Sequence, residues 1–284
     1  MKRLLFVVAI VALAAVTWMT GAASAASKAS YYLSLGDSLA AGADKQYPDQ
    51  LFKAVRDDYK QLRLVKMGCG GETALGMIVG DVGCAPGIYA HGSQLNEALA
   101  FLQAHPGEVA FITIDIGAND ILDLYRCVDF QTFLIDSTCV DTNLPTVEGN
   151  MATILQFLDA AAPGVPIYGM TYYDVFLGTW YLGYPGIALA DHPVVKDIND
   201  AFASTYETNG AIVADVWAAF DSDNFQAMQT RDWGDVPTNV SHICDWTGFC
   251  ANLDIHPNVT GYGVIAGAFE DVIPPNVLHL NAER

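Results

Sequence analysis

Short apolar runs with the length of strands alternate with helix-like segments along most of the chain. Val109–Ile116 is almost wholly apolar or β-branched, as expected for a strand buried on both faces. The predicted strands are Tyr31–Leu35, Leu62–Met67, Val109–Ile116, Val165–Thr171 and Ala211–Val216. The predicted helices between and after them are Gln46–Tyr59, Gln94–Ala104, Asn150–Ala162, Val194–Thr208 and Thr260–Val272. This order predicts an α/β domain with a five-stranded parallel sheet and helices on both faces.

Composition supports one folded domain and excludes several classes of partner. The chain has 284 residues, of which 52% are hydrophobic and 16% are charged. These values exclude a disordered, coiled-coil or collagen-like chain, and the length is sufficient to bury a core. With 13 Lys and Arg against 32 Asp and Glu, the formal charge is −19. Because such a surface repels phosphate backbones and anionic lipid headgroups, we expect no nucleic-acid partner and no docking on anionic membranes.

The first 25 residues have the pattern of a signal peptide. A basic start at Met1–Arg3 precedes thirteen apolar residues, Leu4–Val16, and Ala23–Ala25 fits a cleavage site. The alternative is a membrane anchor, but a membrane span needs about 20 apolar residues. We therefore predict a signal peptide over residues 1–25 and a single mature domain over residues 26–284. The mature protein is expected to be secreted and monomeric, with no stable membrane span.

The cysteine count agrees with export. All six cysteines lie beyond the predicted cleavage site, and an even number in a secreted chain indicates disulfides. Six cysteines allow fifteen connectivities, and their clustering along the chain favours three local pairs. The alternative, a zinc site, is disfavoured because the sequence has no C-x-x-C motif and no His–Cys cluster with ligand spacing. The favoured pairs are Cys69–Cys84, Cys127–Cys139 and Cys244–Cys250.

Polar motifs follow three predicted strands, and a fourth precedes the last helix. Ligands of open parallel sheets bind outside the carboxyl ends of the strands, so these motifs are expected to form one site. Each motif alone is weak evidence for a catalytic site, because a Gly-Asp-Ser turn or a Gly-Gly pair usually has only a structural role. Their common placement at strand ends is the stronger signal. The motifs are Gly36–Leu39, Cys69–Thr73, Gly117–Asp120 and Asp254–Asn258.

The residue types in these motifs suit nucleophilic catalysis. A serine hydroxyl needs a base to accept its proton, and His256 is a candidate base for Ser38. Asp254 could hold the tautomer of that histidine. A tetrahedral intermediate also needs donors for its oxyanion, and the candidates are the Ser38 N–H, the Gly71 N–H and the Asn119 amide. This chemistry requires neither a metal nor a cofactor.

Taken together, the four motifs resemble those of the SGNH hydrolases, also called GDSL esterases and lipases. The resemblance covers nearly all of the mature chain and is closer to a secreted actinobacterial-type branch. It implies a flavodoxin-like, three-layer α/β/α sandwich, and three local disulfides are similar to those of secreted members. It also implies that Ser38 is the nucleophile, that Gly71 and Asn119 are oxyanion donors and that His256 is the general base.

The acidic residue of the last motif departs from the commonest family pattern. That pattern has Asp three residues before the histidine, where this chain has Leu253, and the acid here is Asp254. Some members carry Asp-Ile-His, and others orient the histidine with a backbone carbonyl. Asp254 is predicted as the third member of a triad, and a Ser–His dyad assisted by a main-chain carbonyl is the alternative.

Aromatic residues concentrate just past the fourth predicted strand. They either form a wall of an acyl pocket or pack as an ordinary loop on the sheet edge. Two further aromatic residues, Trp246 and Phe249, lie inside the short Cys244–Cys250 interval. They likewise either shape the pocket or cover the core. We predict a pocket formed by Tyr172, Tyr173, Trp180 and Trp246. The full cluster is Tyr172, Tyr173, Phe176, Trp180, Tyr181 and Tyr184.

These features predict a secreted serine esterase or lipase that cleaves a small-molecule or lipid ester through an acyl-enzyme. Two alternatives use the same residues for a different ester, namely deacetylation of a glycan and deacylation of a phospholipid. A third alternative is a non-catalytic binding module, because a fold alone does not determine function.

Overall fold

A five-stranded parallel sheet forms the centre of the computed structural model, which describes residues 31–59, 61–80, 83–121, 126–129 and 131–275. The segment predicted to be a signal peptide, residues 1–25, lies outside the described residues. The sheet order is β2-β1-β3-β4-β5, and every neighbouring pair is parallel. All five predicted strands are confirmed. The strands are β1 (Tyr31–Gly36), β2 (Arg63–Lys66), β3 (Val109–Asp115), β4 (Ile167–Met170) and β5 (Ile212–Ala214).

Helices cover both faces of this sheet. Right-handed crossovers place α1 and α10 on one face, where they pack together, and α3, α5 and α6 on the other. The result is the predicted three-layer α/β/α arrangement. A 3₁₀ helix spans Val175–Trp180. The α-helices are α1 (Tyr47–Val55), α2 (Ala74–Val79), α3 (Gln94–Ala104), α4 (Ala118–Ile121), α5 (Ser137–Ala161), α6 (Pro185–Thr208), α7 (Val216–Ala219), α8 (Thr238–Trp246), α9 (Phe249–Asn252) and α10 (Val259–Val272).

Two helices begin well before their predicted starts, and each contains a proline. Pro145 lies inside α5 and Pro193 lies inside α6. An internal proline is locally unfavourable, so packing of these helices on the sheet outweighs local propensity here. The start of α5 is also capped, because Asp136 Oδ1 accepts hydrogen bonds from the N–H groups of Thr138 and Cys139.

Four short strands outside the main sheet were not predicted. β6 (Met228–Arg231) and β7 (Gly234–Pro237) form an antiparallel hairpin. β8 (Thr247–Gly248) pairs with β9 (Asp254–Pro257), so the last polar motif lies on a small strand rather than in an open loop. This pairing brings the motif back against the helix pair around Cys244 and Cys250.

The strand order places a crevice beside β1. The chain leaves β1 towards β2 on one side, and it later returns to β3 on the other side. Such a reversal opens a binding crevice at the carboxyl ends of the two central strands. β3 is buried along its whole length and gives this crevice a rigid floor. Among the described residues, no helix combines the length and the apolar character that crossing a membrane requires.

Candidate active site

The turn after β1 carries the predicted nucleophile. β1 ends at Gly36, whose φ of 142° suits glycine, and a Cβ there would collide with the Asp115 carboxyl group. Asp37 then begins a helical turn in which its Oδ1 accepts the Leu39 N–H at 2.9 Å. The turn therefore presents Ser38 at the sheet edge with a restrained backbone.

A continuous hydrogen-bond chain joins three of the predicted residues. Ser38 Oγ lies 2.9 Å from His256 Nε2, and His256 Nδ1 lies 2.6 Å from Asp254 Oδ1. The same carboxyl oxygen accepts the backbone N–H of His256 at 3.0 Å. Partial burial opposes ionisation of Asp254, but the hydrogen bonds from His256 outweigh it and lower the pKa of Asp254 below its usual value. The arrangement can move a proton from Ser38 to an imidazole held by a carboxylate.

The two other predicted oxyanion residues lie on neighbouring turns. Asn119, on α4 after β3, donates one hydrogen of Nδ2 to the Glu72 carbonyl oxygen at 3.0 Å. Within the described residues, the second hydrogen on Nδ2 has no hydrogen-bond acceptor. Gly71 has a left-handed backbone, with φ of 79°. Asn119 lines the cavity beside Ser38, whereas Gly71 lies just before the residue that holds the Asn119 side chain.

A buried glutamine that the sequence did not single out links these turns. Gln94, the first residue of α3, accepts the Gly36 N–H at 2.6 Å and donates to the Gly36 carbonyl at 3.0 Å. Its amide nitrogen also donates to Glu72 Oε2 at 3.1 Å. One side chain thus ties the nucleophile turn to the turn that orients Asn119. A polar residue in the first turn of a helix is usually exposed, so the sequence alone carries no signal for this contact.

Two buried carboxyl groups lie directly beneath Ser38. Asp115, on β3, accepts hydrogen bonds from the Asp37 N–H at 3.1 Å and the Tyr47 hydroxyl at 2.6 Å. Burial raises the pKa of both Asp37 and Asp115, and the nearby Asp37 carboxylate raises the pKa of Asp115 further. Of the two, the Asp115 carboxyl has the more strongly raised pKa. Asp115 is the last residue of β3 and Asp37 follows β1, and the apolar pattern of the two strands does not reveal the burial of either group.

Glu72 is a third buried acid next to the site. Burial raises its pKa to about 7, and the hydrogen bond from Gln94 only partly opposes this shift. Its Oε2 also lies 2.9 Å from Cys84 Sγ. Glu72, Cys69 and Cys84 are close enough to share a metal ion, but the two sulfurs are joined as a disulfide and are not the thiolates that zinc prefers.

The structure joins all six cysteines in the three local pairs. Cys69–Cys84 lies beside Glu72, near the Gly71 turn. Cys127–Cys139 closes a loop that ends at α5, and Cys244–Cys250 links α8 to α9 just before β9. The Cα–Cα distances are 5.9, 5.4 and 5.0 Å, in chain order.

A cavity of about 100 Å³ opens beside Ser38, His256 and Asn119. Its wall is largely apolar. Tyr172 and Tyr173 line it as predicted, together with several side chains that were not assigned to the pocket from the sequence. These additional residues are Leu39, Phe133, Val175, Phe176, Phe249, Leu253 and Ile255.

The predicted pocket residues Trp180 and Trp246 do not line this cavity, and their assignment is corrected. Trp180 ends the 3₁₀ helix and packs against the hydrophobic core. Trp246 stacks on His242, with ring centroids 3.8 Å apart, and meets the edge of Phe220. Both indoles therefore pack within the protein, whereas Phe176 and Phe249 from the same two aromatic segments face the cavity.

The two tyrosines also brace the catalytic elements. The Tyr172 hydroxyl donates to Asp37 Oδ2 at 3.0 Å, and the Tyr173 hydroxyl donates to the Ile255 carbonyl at 2.6 Å. One residue thus contacts the nucleophile turn and the next contacts β9. The segment after β4 holds the elements carrying Ser38 and His256 in addition to forming the cavity wall.

Comparison with solved structures shows a shared fold at low identity. An extracellular lipase from Streptomyces rimosus matches with a TM-score of 0.57 and 14% identity, covering 86% of this chain and 100% of that chain. An acetylxylan esterase from Geobacillus stearothermophilus matches with a TM-score of 0.53 and 15% identity, covering 87% and 95%. A phospholipase A1 from Streptomyces albidoflavus matches with a TM-score of 0.51 and 15% identity, covering 86% and 100%.

Comparison with curated protein sequences gives no significant match. The model of the GDSL-like lipase/acylhydrolase family, in contrast, matches residues 34–264, a span that includes every one of the four motifs. Membership of the secreted actinobacterial-type branch stays a prediction. The chain belongs to the GDSL-like lipase/acylhydrolase family of hydrolases.

Proposed function

We propose that this protein hydrolyses carboxylic esters through an acyl-enzyme formed on Ser38. The observation that carries the proposal is the unbroken hydrogen-bond chain from Ser38 through His256 to Asp254, which opens directly onto an apolar cavity. All of these side chains come from one chain. A monomer is therefore sufficient for the proposed reaction.

In the first half of the reaction, Ser38 Oγ attacks the ester carbonyl carbon while its proton passes to His256 Nε2. The carbonyl π electrons move to oxygen and form the tetrahedral oxyanion. Asp254 stabilises the imidazolium that forms, at 2.6 Å. The Ser38 N–H, the Gly71 N–H and the second Asn119 amide hydrogen are the proposed donors to the oxyanion.

In the second half, the intermediate collapses and the bond to the alcohol oxygen breaks. The imidazolium gives its proton to that oxygen, and the alcohol leaves. Water then attacks the acyl-enzyme with His256 as base, which releases the carboxylic acid and returns the proton to Ser38.

The character of the cavity supports an apolar acyl group. Its wall is mostly aromatic and aliphatic, which suits a hydrocarbon chain better than the hydroxyl-rich ring of a glycan. The acidic net charge disfavours anionic substrates, so neutral esters are favoured over anionic phospholipids. A binding protein without catalytic activity would not require the hydrogen bond between Ser38 and His256.

We also propose that the protein is exported and that residues 26–284 form its mature domain. The basic and apolar start of the sequence supports export, and so do the three disulfides, which persist in oxidising compartments.

Labelling with a fluorophosphonate tests the proposed function. The wild type should be labelled at Ser38 and should hydrolyse p-nitrophenyl esters, and Ser38→Ala should lose both, with kcat falling on the order of 10⁴-fold or more. Ser222→Ala is a matched control, because this buried serine makes no hydrogen bond through Oγ and lies outside the cavity. A wild type that is neither labelled nor active, or a Ser38→Ala variant within about tenfold of wild type, would contradict the proposal.

A further inference from the structure

Two side chains that line the cavity share an unusual backbone. Phe133 has φ of 62° and Leu253 has φ of 61°, both in the left-handed region. For a bulky side chain this conformation is disfavoured by roughly 1–2 kcal/mol, whereas glycine adopts it freely. The other non-glycine residues with positive φ in the described part of the chain are all polar, namely Asp44, Lys45, Gln61 and Asp221. The two large apolar exceptions meet at one cavity.

Packing into the core does not explain these side chains. Neither Phe133 nor Leu253 belongs to the hydrophobic core or to the part-buried set packed on it. Leu253 is 54% exposed, so its side chain contributes little burial to the fold. Phe133 is half-buried and meets the edge of Phe249 with ring centroids 6.4 Å apart. A turn that needed only its backbone shape would be served better by glycine or asparagine.

Phe133 sits inside a loop closed by a disulfide, and Leu253 follows another disulfide closely along the chain. Phe133 ends a tight turn in which its N–H donates to the Asp129 carbonyl at 2.7 Å, inside the Cys127–Cys139 loop. Leu253 is the C-cap of α9, and its N–H donates to the Phe249 carbonyl at 2.9 Å, three residues after Cys250. A disulfide therefore restrains the chain close to each of the two residues, and both side chains line the cavity.

Strain held at a cavity wall points to a functional use of the side chain. We propose that Phe133 and Leu253 select the acyl chain of the substrate, so that chain-length preference is determined by these two residues rather than by the aromatic segment after β4. This inference rests on the proposed ester hydrolysis. An acyl group bound to Ser38 would extend along the apolar wall and contact both side chains. Each buried methylene would then raise kcat/KM by about fourfold until the cavity is filled.

The test measures kcat/KM for p-nitrophenyl acetate, butyrate and octanoate. The ratio of interest is kcat/KM for the octanoate divided by kcat/KM for the acetate. Phe133→Ala and Leu253→Ala are each expected to lower this ratio by about tenfold or more. Leu134→Ala and Val259→Ala are matched controls, because both residues are exposed, at 43% and 55%, close in sequence to Phe133 and Leu253 and outside the cavity. The controls should keep the ratio within about twofold of wild type.

Glycine variants separate selection from a structural role. Phe133→Gly and Leu253→Gly relieve the left-handed strain, so each should melt about 2–4 °C above the matching alanine variant while its ratio stays equally low. A structural residue would lose stability and selectivity together. A glycine variant that melts below its alanine counterpart would overturn the inference.

Failure of this inference is distinguishable from failure of the proposed function. A wild type that hydrolyses esters and reacts at Ser38, with the ratio unchanged in both alanine variants, would overturn chain selection alone. A wild type that neither hydrolyses esters nor reacts with a fluorophosphonate would overturn the proposed function and the selection with it.

Discussion

The two sides of the cavity beside Ser38 are built differently. On the strand side, buried polar groups hold one another through hydrogen bonds, with Asp37, Asp115 and Gln94 nearly inaccessible to solvent. On the loop side, the wall consists of apolar side chains such as Phe133 and Leu253, which are partly or largely exposed. The residues around Ser38 are thus positioned by the sheet, and the shape of the cavity comes from loops that the sheet does not constrain.

This difference has an energetic consequence. Removing one partner from a buried hydrogen bond leaves the other unsatisfied and costs about 1–3 kcal/mol. Truncating a partly exposed apolar side chain costs less, because little area is removed from the core. Changes on the strand side should therefore affect turnover and stability together, whereas changes on the loop side should affect mainly the choice of substrate.

The largest effect is expected for Asp254→Asn, on β9, where the carboxylate is exposed and is proposed to contribute to the reaction rather than to the buried network. If the carboxylate holds the tautomer of His256, kcat for a neutral ester should fall on the order of 10⁴-fold while the fold stays intact. Asp235→Asn, an exposed carboxylate on the β6–β7 hairpin, is the control and should be nearly neutral. A loss of less than about tenfold would instead assign the orienting role to a backbone carbonyl.

A smaller loss is expected for Asn119→Ala. Removing one oxyanion donor lowers kcat by about 10²–10³-fold in enzymes of this chemistry. The variant also loses the hydrogen bond to the Glu72 carbonyl, worth about 1 kcal/mol. Steady-state kinetics on a short neutral ester and thermal unfolding measure the two effects. An unchanged kcat with only a lower melting temperature would show that Asn119 has a structural role and does not bind the oxyanion.

The same division explains what the sequence could predict. The five strands were predicted correctly because a buried strand is a run of β-branched and apolar residues. Such a run, for example Val109–Asp115, can be recognised from local composition alone. The proximity of Ser38 and Asn119 followed from the topology, since carboxyl ends of parallel strands meet at one edge, whereas His256 reaches them from β9, a strand that was not predicted. Gln94 was missed because its partners at Gly36 and Glu72 are distant in sequence and leave no periodic signal.

The cavity wall was predicted least well, for a physical reason. Which aromatic side chain faces a cavity depends on backbone angles in irregular loops, and neighbouring residues can point in opposite directions. Trp180 packs against the core although Phe176, one turn earlier, lines the cavity. Phe133 and Leu253 carried no signal, since a left-handed backbone at a large apolar residue contradicts local preference.

Gln94→Leu tests whether the buried hydrogen bonds of the strand side position the nucleophile turn. The variant keeps the volume but leaves the Gly36 N–H without its partner and the Gly36 carbonyl with only the Cys69 N–H, so the nucleophile turn should shift. A misplacement of about 1 Å can cost on the order of 10²-fold in rate. We expect kcat to fall by about that factor with KM nearly unchanged, at a temperature well below the melting point of the variant. Equal kcat in both proteins would show that the turn is held without Gln94.

The smallest effect is a pH-dependent change in stability in Glu72→Gln. The folded-state pKa of Glu72 is raised from 4.5 to about 7, so its stabilising contribution is present below pH 4.5 and is lost as the pH rises towards 7. Glutamine removes the ionisation but keeps a carbonyl oxygen for Gln94. The variant should match wild type near pH 4 and exceed it in unfolding free energy at pH 8, as measured by urea unfolding.

Glu97→Gln, on the same helix as Gln94, is the opposite-sign control for this measurement. The hydrogen bond to His91 lowers the pKa of Glu97, so its contribution is present above the ordinary pKa and is lost on acidification. Its replacement should slightly lower stability at pH 8 and change nothing near pH 3. If Glu72→Gln behaved like this control, Glu72 would be an ionised partner of Gln94, and the strand side would carry a buried negative charge at that position.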